Sequence, residues 1–520
     1  MVASQPVMTR VPFLAIAAAL FLGTVTATAR ADCRIWFENS TVKVFQDTAP
    51  GEATGVRLTA ARNETESFQV VVRAGTEPLH IVRVQVSDLV QEDGARIEAT
   101  CMQLFRVAYV NLPAHDRYYP DPLPPLSAFT VSPAQNQPVW IDLSVPAEAV
   151  PGVYCGTVTV QADGQEAQTG SIELTVWRFA LPATPHSRTA FGVNEGAIAA
   201  FHGVAPGSAA HQKLQRAYYE LLVAHRAMPY GLPVPVQSPE AAQYLDDPRV
   251  AAFCIPYVDD EAALKELAAY LREKGWLKKA YFYVVDEPIT QDQYDLLRER
   301  AARLHAADPE FKVVVPYFRE PAFAAEGGAS GLLTGVCDIW CPKVHFYQED
   351  FLTGRQRLGE EVWWYVCWEP GAPYANLYVD MAGIDHRALF WQQAHYRVQG
   401  FLYWSTTHWT PQHGTADPWT DMATVKSLSP TVYGDGSLLY PGAKVGIDGP
   451  VGSIRLKLIR AGLEDVEYLR MLEEREGWDA VRAVTGTIVQ GLDAYSRDVR
   501  LLLEQREAVG RRLSEGERGT

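Results

Sequence analysis

The chain has 520 residues and a formal net charge of −16 at neutral pH, and 48% of its residues are hydrophobic. This length predicts two or three domains with substantial cores. The acidic balance argues against a nucleic-acid partner, which would select a basic surface.

The amino-terminal segment has the features of an export signal. Arg10 supplies a positive charge, residues 11–23 form an apolar stretch too short to cross a bilayer, and residues 29–31 read Ala-Arg-Ala, a cleavage-site pattern. Asp32 precedes Cys33, which does not favour a lipid anchor. We predict a signal peptide over 1–31, cleavage near Ala31 and export to the periplasm or the extracellular space. No later run of about twenty apolar residues predicts a membrane span.

Residues 32–182 show the period of half-buried β-strands. Ile172, Leu174 and Val176 alternate with residues that would face the other side of the strand. Turn signals such as Pro151-Gly152 separate segments of this kind. We predict an all-β sandwich domain over 32–182, serving either as a scaffold packed on the next domain or as a sugar-binding module.

A proline-punctuated boundary at 181–185 introduces a second pattern, in which strands alternate with helices. Eight such strands within 183–452 predict a (β/α)8 TIM-like barrel, whose usual length is about 250 residues. Two long irregular segments, 194–210 and 406–450, each follow a strand and are therefore expected at the catalytic rim. The predicted strands are 189–193, 228–232, 251–256, 280–285, 312–317, 338–344, 362–368 and 400–405.

Residues 453–520 are predicted to be a C-terminal helical segment that packs on the barrel. Leu456, Ile459, Leu463 and Val466 follow helical spacing, and a second helix is predicted over about 478–506.

The seven cysteines do not predict a metal site or a cofactor. They are widely spread and include no C-x-x-C pair. Three of them lie in apolar strand runs and are expected to be buried free thiols, namely Cys254, Cys341 and Cys367. An exported protein can form disulfides, and one pair could come from Cys33, Cys101 and Cys155.

Asp286 and Glu287 end the most hydrophobic predicted strand, 280–285. A capping-box pattern follows, with Thr290 at the cap and Gln293 three residues later. Acidic residues at such a place are often only helix caps, but Thr290 already provides the cap. The two acids are therefore candidates for catalysis at the carboxyl-terminal rim of the barrel.

Aromatic and histidine side chains are also predicted at the ends of the other strands. Two acids surrounded by indoles and phenols are typical of a glycosidase, in which one carboxyl group protonates the leaving oxygen. Any single tryptophan is more often a packing residue than a sugar platform. The predicted substrate-binding residues are Tyr317, His345, Tyr347, Trp368, Tyr403, Trp404, His408, Trp409 and Trp419.

The adjacency of the two acids bears on the mechanism. Neighbouring residues of a flat strand point to opposite faces, so both can serve one site only if the chain bends. An adjacent pair fits substrate assistance, with Asp286 orienting the sugar's 2-acetamido group and Glu287 acting as acid and then base. Two alternatives stay open: a conventional two-carboxylate mechanism that pairs Glu287 with Glu369, and a non-catalytic glycan-binding protein.

The sequence resembles glycoside hydrolase family 123 over nearly its whole mature length. The resemblance implies a β-N-acetylgalactosaminidase-like enzyme that acts by substrate assistance, with the family's Asp-Glu pair at Asp286 and Glu287. The chain departs from the family pattern at Ala461, where an acid is more usual. The motifs that carry the resemblance are 61–69, 151–156, 283–288, 400–404, 417–419, 434–436, 440–442, 449–455 and 460–468.

Overall fold

A computed structural model of the chain describes residues 1–2, 33–319, 328–410, 417–426 and 428–516. Apart from its first two residues, the predicted signal peptide lies outside these ranges. Within them, no helix combines the length and the apolar character needed to cross a membrane.

The amino-terminal domain consists of two sheets packed around one core. The first sheet has the strand order β1-β3-β12-β7, and the second has β11-β4-β13-β14-β2. The predicted alternation is confirmed, since Ile172, Leu174 and Val176 are all buried in the core between the sheets. The strands of this domain are β1 (Cys33–Asn39), β2 (Gly55–Arg62), β3 (Glu64–Ala74), β4 (Leu79–Val86), β5 (Leu89–Val90), β6 (Arg96–Ile97), β7 (Met102–Arg106), β8 (Tyr109–Leu112), β9 (Arg117–Pro120), β10 (Pro122–Leu123), β11 (Phe129–Val131), β12 (Asn136–Val145), β13 (Gly152–Ala162) and β14 (Gln168–Ala180).

The second domain is a nearly closed parallel barrel of seven strands. Every pairing in it is parallel, in the order β15-β21-β20-β19-β18-β17-β16. Seven of the eight predicted strands are therefore confirmed, each one to three residues shorter than expected. The strands are β15 (Arg188–Phe191), β16 (Phe253–Ile255), β17 (Ala280–Tyr283), β18 (Val313–Tyr317), β19 (Ile339–Pro342), β20 (Glu361–Tyr365) and β21 (Gly400–Tyr403).

The prediction of a regular strand at 228–232 is wrong. This segment forms a single bridge, between Pro229 and Phe191, because proline has no N–H to donate to a ladder. The segment nevertheless fills the gap between β15 and β16. The amide of Phe191 donates to Met228 (2.7 Å), and the amide of Cys254 donates to Tyr230 (2.7 Å).

Helices connect the barrel strands and form the carboxyl-terminal region. The predicted capping box is present at Thr290 and Gln293, at the start of the helix Gln291–Ala307. The preceding helix, Glu261–Lys274, is capped by Asp260 and ends at Gly275. The helices are α1 (Glu195–His202), α2 (Ala209–Val223), α3 (Ala242–Leu245), α4 (Glu261–Lys274), α5 (Gln291–Ala307), α6 (Gly328–Leu333), α7 (Glu349–Arg357), α8 (Gly383–His395), α9 (Ile454–Glu476), α10 (Trp478–Thr485) and α11 (Val499–Gly516).

Three local predictions need correction. The segment 194–210 is not irregular, because Asn194 caps α1 within it. The segment 478–506, predicted as one helix, contains α10 and the start of α11. A turn-rich stretch separates these two helices, and within it Val489 and Tyr495 form an isolated antiparallel bridge. The disulfide pair that Cys33, Cys101 and Cys155 could have supplied does not form among the described residues.

Helix α9 carries buried ion pairs that link the two domains. It is buried along most of its length although it carries many charged residues. Asp142 of the first domain forms ion pairs with the ammonium of Lys457, at 2.7 Å, and with the guanidinium of Arg460, at 3.0 Å. Asp121 pairs with Arg455 at 2.8 Å. The acids of the first domain therefore neutralise bases that α9 buries.

Candidate active site

The interior of the barrel is lined by alternate residues of its strands, as the two-residue period of a strand requires. The buried interior cluster includes Tyr281, Ile339, Trp363 and Leu402. Toward the carboxyl-terminal rim the same cluster also contains Tyr283, Tyr365, Phe318, Trp368 and Trp404. The rim is therefore an aromatic bowl, and the residues that follow β17 enter it.

The backbone bends sharply at Glu287, which follows Asp286 just after β17. The φ angle of Glu287 is +41°, in the left-handed region that non-glycine residues rarely adopt. Strained residues of this kind cluster at functional sites. The bend allows two adjacent side chains to reach partners inside the same bowl.

Each carboxylate is held by a tyrosine from the barrel interior. Tyr283 donates its hydroxyl to Asp286 Oδ1 at 2.5 Å. Tyr365, on the facing strand β20, donates its hydroxyl to Glu287 Oε1. The two phenols fix where the carboxylates lie, and they give each acid a different environment.

The pKa of Glu287 is raised above its ordinary value. Burial is the largest cause, opposed by the hydrogen bond from Tyr365, while the negative charge of Asp286 raises the pKa further. Glu287 is partly buried, whereas Asp286 is exposed. A carboxyl group that retains its proton toward neutral pH can act as a general acid.

A charge pair lies in the same bowl, next to Glu287. The ammonium of Lys343 is 3.4 Å from Glu369 Oε2, and both charges act on the pKa of Glu287, Lys343 lowering it and Glu369 raising it. The sequence prediction named Glu369 but missed Lys343. The spacing Ile339, Cys341, Lys343 could have indicated it, since these alternate residues share the inward face.

Asp435 holds Trp404 from a loop that follows the last barrel strand. The indole Nε1 of Trp404 donates to both carboxylate oxygens at 3.1 Å, and Tyr403 donates to Oδ1 at 3.2 Å. Burial raises the pKa of Asp435 to about 7, against the hydrogen bonds from Trp404 and Tyr403 that lower it. Sequence reasoning noted the motif 434–436 without assigning a role to its acid.

Four of the nine predicted binding residues lie at or beside this bowl. Trp368 packs 5.8 Å from the ammonium of Lys343, and the ring of His408 lies 4.5 Å from that of Trp404. The pKa of His345 is lowered by burial, with a contribution from the charge of Lys343. The structure therefore places four of the predicted binding residues in the same bowl as the two acids, namely Trp368, Trp404, His345 and His408.

The other five predicted residues face away from the barrel interior, because they occupy the alternate positions of their strands or lie beyond them. Tyr317 and Tyr347 are buried in the core between the strands and the helices, and Tyr403 contacts that core while binding Asp435. Trp409 donates to Ser437 and Leu439 at 3.1 Å. Trp419 donates to Pro441 at 3.0 Å and packs on Tyr440.

An apolar cavity of about 540 Å³ adjoins the bowl on the side of the irregular barrel segment. Its walls include Tyr230, Cys254 and Tyr283, so it shares the tyrosine that binds Asp286. In the part of the chain that the structure describes, no group of three or more histidine, cysteine or acidic side chains is arranged to hold a metal ion.

Family comparisons agree with this architecture. Residues 257–472 match the model of the glycoside hydrolase 123 catalytic domain, and residues 39–162 match the model of the glycoside hydrolase 123 N-terminal domain. A search of curated proteins gave no significant match.

Solved structures include a family 123 glycoside hydrolase from Clostridium perfringens, studied for glycolipid glycan hydrolysis. It aligns with a TM-score of 0.72 at 14% identity, covering 94% of this chain and 99% of that one. A family 39 glycoside hydrolase from Bacteroides cellulosilyticus aligns much less well, with a TM-score of 0.32 at 10% identity, covering 78% of this chain and 81% of that one.

Proposed function

Because the chain belongs to glycoside hydrolase family 123, we propose that it is an exported exo-β-N-acetylhexosaminidase, acting most readily on N-acetylgalactosaminides, that uses the 2-acetamido group of its substrate as the nucleophile. The observation that carries the proposal is the adjacency of Asp286 and Glu287 at a left-handed bend. Both side chains bind tyrosines of one bowl, so they act on the same sugar.

Asp286 is assigned to the acetamide. The acetamide oxygen attacks the anomeric carbon as the bond to the leaving oxygen breaks, which produces an oxazolinium-like intermediate. A carboxylate that accepts the acetamide N–H orients this attack and stabilises the developing positive charge. Asp286 is exposed to the bowl and is positioned by the hydroxyl of Tyr283, which binds only one of its oxygens.

Glu287 is assigned to proton transfer. It donates its proton to the leaving oxygen in the first step, and it removes a proton from the water that opens the intermediate in the second step. The raised pKa of Glu287, caused mainly by burial, favours the protonated form that the first step needs. Acid–base assistance of this kind typically contributes about 10²–10⁴-fold to the rate.

The proposed substrate is the terminal amino sugar of a glycan, and a glycolipid glycan is a candidate. The Clostridium perfringens relative was described for glycolipid glycan hydrolysis. The apolar cavity beside Tyr283 supports a leaving group that has an apolar part. Export follows from the predicted signal peptide and is tested by locating the mature protein and sequencing its amino terminus.

The mechanism is tested with paired substrates. We expect the 4-nitrophenyl 2-acetamido-β-galactoside to be hydrolysed and the 2-hydroxy analogue to be inert, because the latter lacks the internal nucleophile. A thiazoline analogue of the intermediate should inhibit. Equal turnover of both substrates, or a covalent adduct trapped by a 2-fluoro sugar, would instead support a two-carboxylate mechanism.

A further inference from the structure

Lys343 and Glu369 form a charge pair in which the lysine is buried and the glutamate is partly exposed. Within the described ranges, most of the hydrogen bonds that the two groups could make are not made. Lys343 is 3% exposed, while the side chain of Glu369 is 42% exposed. Their 3.4 Å contact is the only polar side-chain contact that either group makes among the described residues. An ammonium has three donors and a carboxylate has two acceptor oxygens, so this single contact uses only part of what the pair can offer to a bound hydroxyl group.

A second lysine–glutamate pair at the opposite end of the barrel shows what a structural pair looks like in this chain. The carboxylate of Glu361 accepts from Arg188 at 2.7 Å, from Lys312, and from the indole of Trp363 at 3.1 Å. Its side chain is only 14% exposed. Glu361 therefore has the several partners that a buried carboxylate needs, whereas Glu369 has one in the described part of the chain.

The surroundings of Lys343 match a sugar-binding subsite. Its ammonium lies 4.7 Å from the ring of Phe318, 5.9 Å from that of Tyr365 and 5.8 Å from that of Trp368. Tyr365 in turn binds Glu287. A sugar that reaches Glu287 therefore passes beside both the aromatic walls and the charge pair.

We propose that Lys343 and Glu369 form a specificity-determining pair that binds the C4 or C6 hydroxyl group of the terminal sugar. A hydroxyl group both donates and accepts, so it can accept from the ammonium of Lys343 and donate to the carboxylate of Glu369. The pair carries no net charge, so it selects a neutral sugar over one that bears a carboxylate or sulfate. This inference rests on the proposed function and adds the part of the sugar that is recognised.

The test combines hydroxyl deletion with side-chain deletion. The probes are the 4-nitrophenyl 2-acetamido-β-galactoside and its 4-deoxy and 6-deoxy analogues, assayed with the wild-type protein and with Lys343→Met and Glu369→Gln. Loss of a hydroxyl bound by charged groups should lower the wild-type kcat/KM by about 10–100-fold for one of the two analogues. In each variant the same deletion should lower kcat/KM by a smaller factor than in the wild-type protein, because one of the two charged partners of the hydroxyl group has already been removed or neutralised.

Lys312→Met is the matched control, since it removes a lysine paired with glutamate far from the rim. It should keep the wild-type discrimination between the parent and the deoxy sugars. An equal loss for all three substrates in Lys343→Met and Glu369→Gln, or an unchanged penalty for both analogues, overturns the inference. Failure of the proposed function is distinct, because it shows as equal turnover of 2-acetamido and 2-hydroxy substrates whatever the hydroxyl penalties are.

Discussion

Substitution of Glu287 by glutamine tests the central chemical assignment. Glutamine has the shape of glutamate, and its amide oxygen can still accept from the hydroxyl of Tyr365. The glutamine amide cannot donate a proton to the leaving oxygen in the first step and take one from water in the second. The substitution therefore removes proton transfer while the bowl and its aromatic walls stay in place.

The expected loss depends on how much the leaving group needs protonation. For an alkyl or sugar leaving group, we expect kcat to fall by about 10²–10⁴-fold, equivalent to about 3–5 kcal/mol of transition-state stabilisation. For a 2,4-dinitrophenyl leaving group, which departs as a stable anion, the loss in the first step should be less than about tenfold. The measurement is the initial rate across a series of aryl and alkyl glycosides.

Two comparisons make this prediction decisive. Asp286→Asn should lower the rate for every leaving group, because orientation of the acetamide is needed whichever group departs. Glu299→Gln on the exposed face of α5, where the glutamate pairs with Arg303, should behave like the wild type. A loss in Glu287→Gln that is the same for good and poor leaving groups would refute the assignment of Glu287 as the acid.

Three further outcomes are expected. Tyr365→Phe removes the hydrogen bond that opposes the effect of burial on Glu287, so the pKa of Glu287 should rise and the alkaline limb of kcat/KM should move to higher pH; an unchanged pH–rate profile would contradict this. Arg455→Met leaves the buried carboxylate of Asp121 without its cationic partner, with the hydroxyl of Tyr440 still donating to it. The substitution should lower the free energy of unfolding in urea by about 3–5 kcal/mol, whereas a loss below about 1 kcal/mol would show that the ion pair is dispensable. The folded-state pKa of Asp435 is about 7, above its ordinary 3.8, so the folded state binds the proton more tightly than the unfolded state does. The contribution of Asp435 to stability therefore falls as the pH rises from about 3.8 to about 7. The difference in unfolding free energy between Asp435→Asn and the wild type should change over the same pH interval, and a constant difference would argue against this titration.

Local sequence signals predicted the parts of the fold that depend on local physics. The capping box at Thr290 located the start of α5, because caps satisfy backbone groups within a few residues. The placement of Asp286 and Glu287 at a strand end followed from the same kind of signal. Pro229 shows the limit, because a hydrophobic run predicts a strand while the missing N–H prevents a regular ladder.

The site was harder to predict where it depends on which face of a strand points inward. Tyr317 and Tyr403 end their strands on the outward face, so they pack under the helices although their positions along the chain suggested the rim. The sequence does not point to Lys343, because lysine side chains are seldom buried. Its burial depends on Glu369 and on aromatic rings contributed by other strands, and such long-range contacts leave no local signature.

The charges buried along α9 have a consequence for building hybrid proteins. Lys457 and Arg460 depend on Asp142, and Arg455 depends on Asp121, and both acids belong to the amino-terminal domain. A barrel from this chain joined to the amino-terminal domain of a relative would bury unpaired cations wherever the donor lacks an acid at the matching place. Each such mismatch would cost about 3–5 kcal/mol. Chimeras should therefore transfer these acids together with α9, so that compatibility between the halves is decided by a few buried charges rather than by overall sequence similarity.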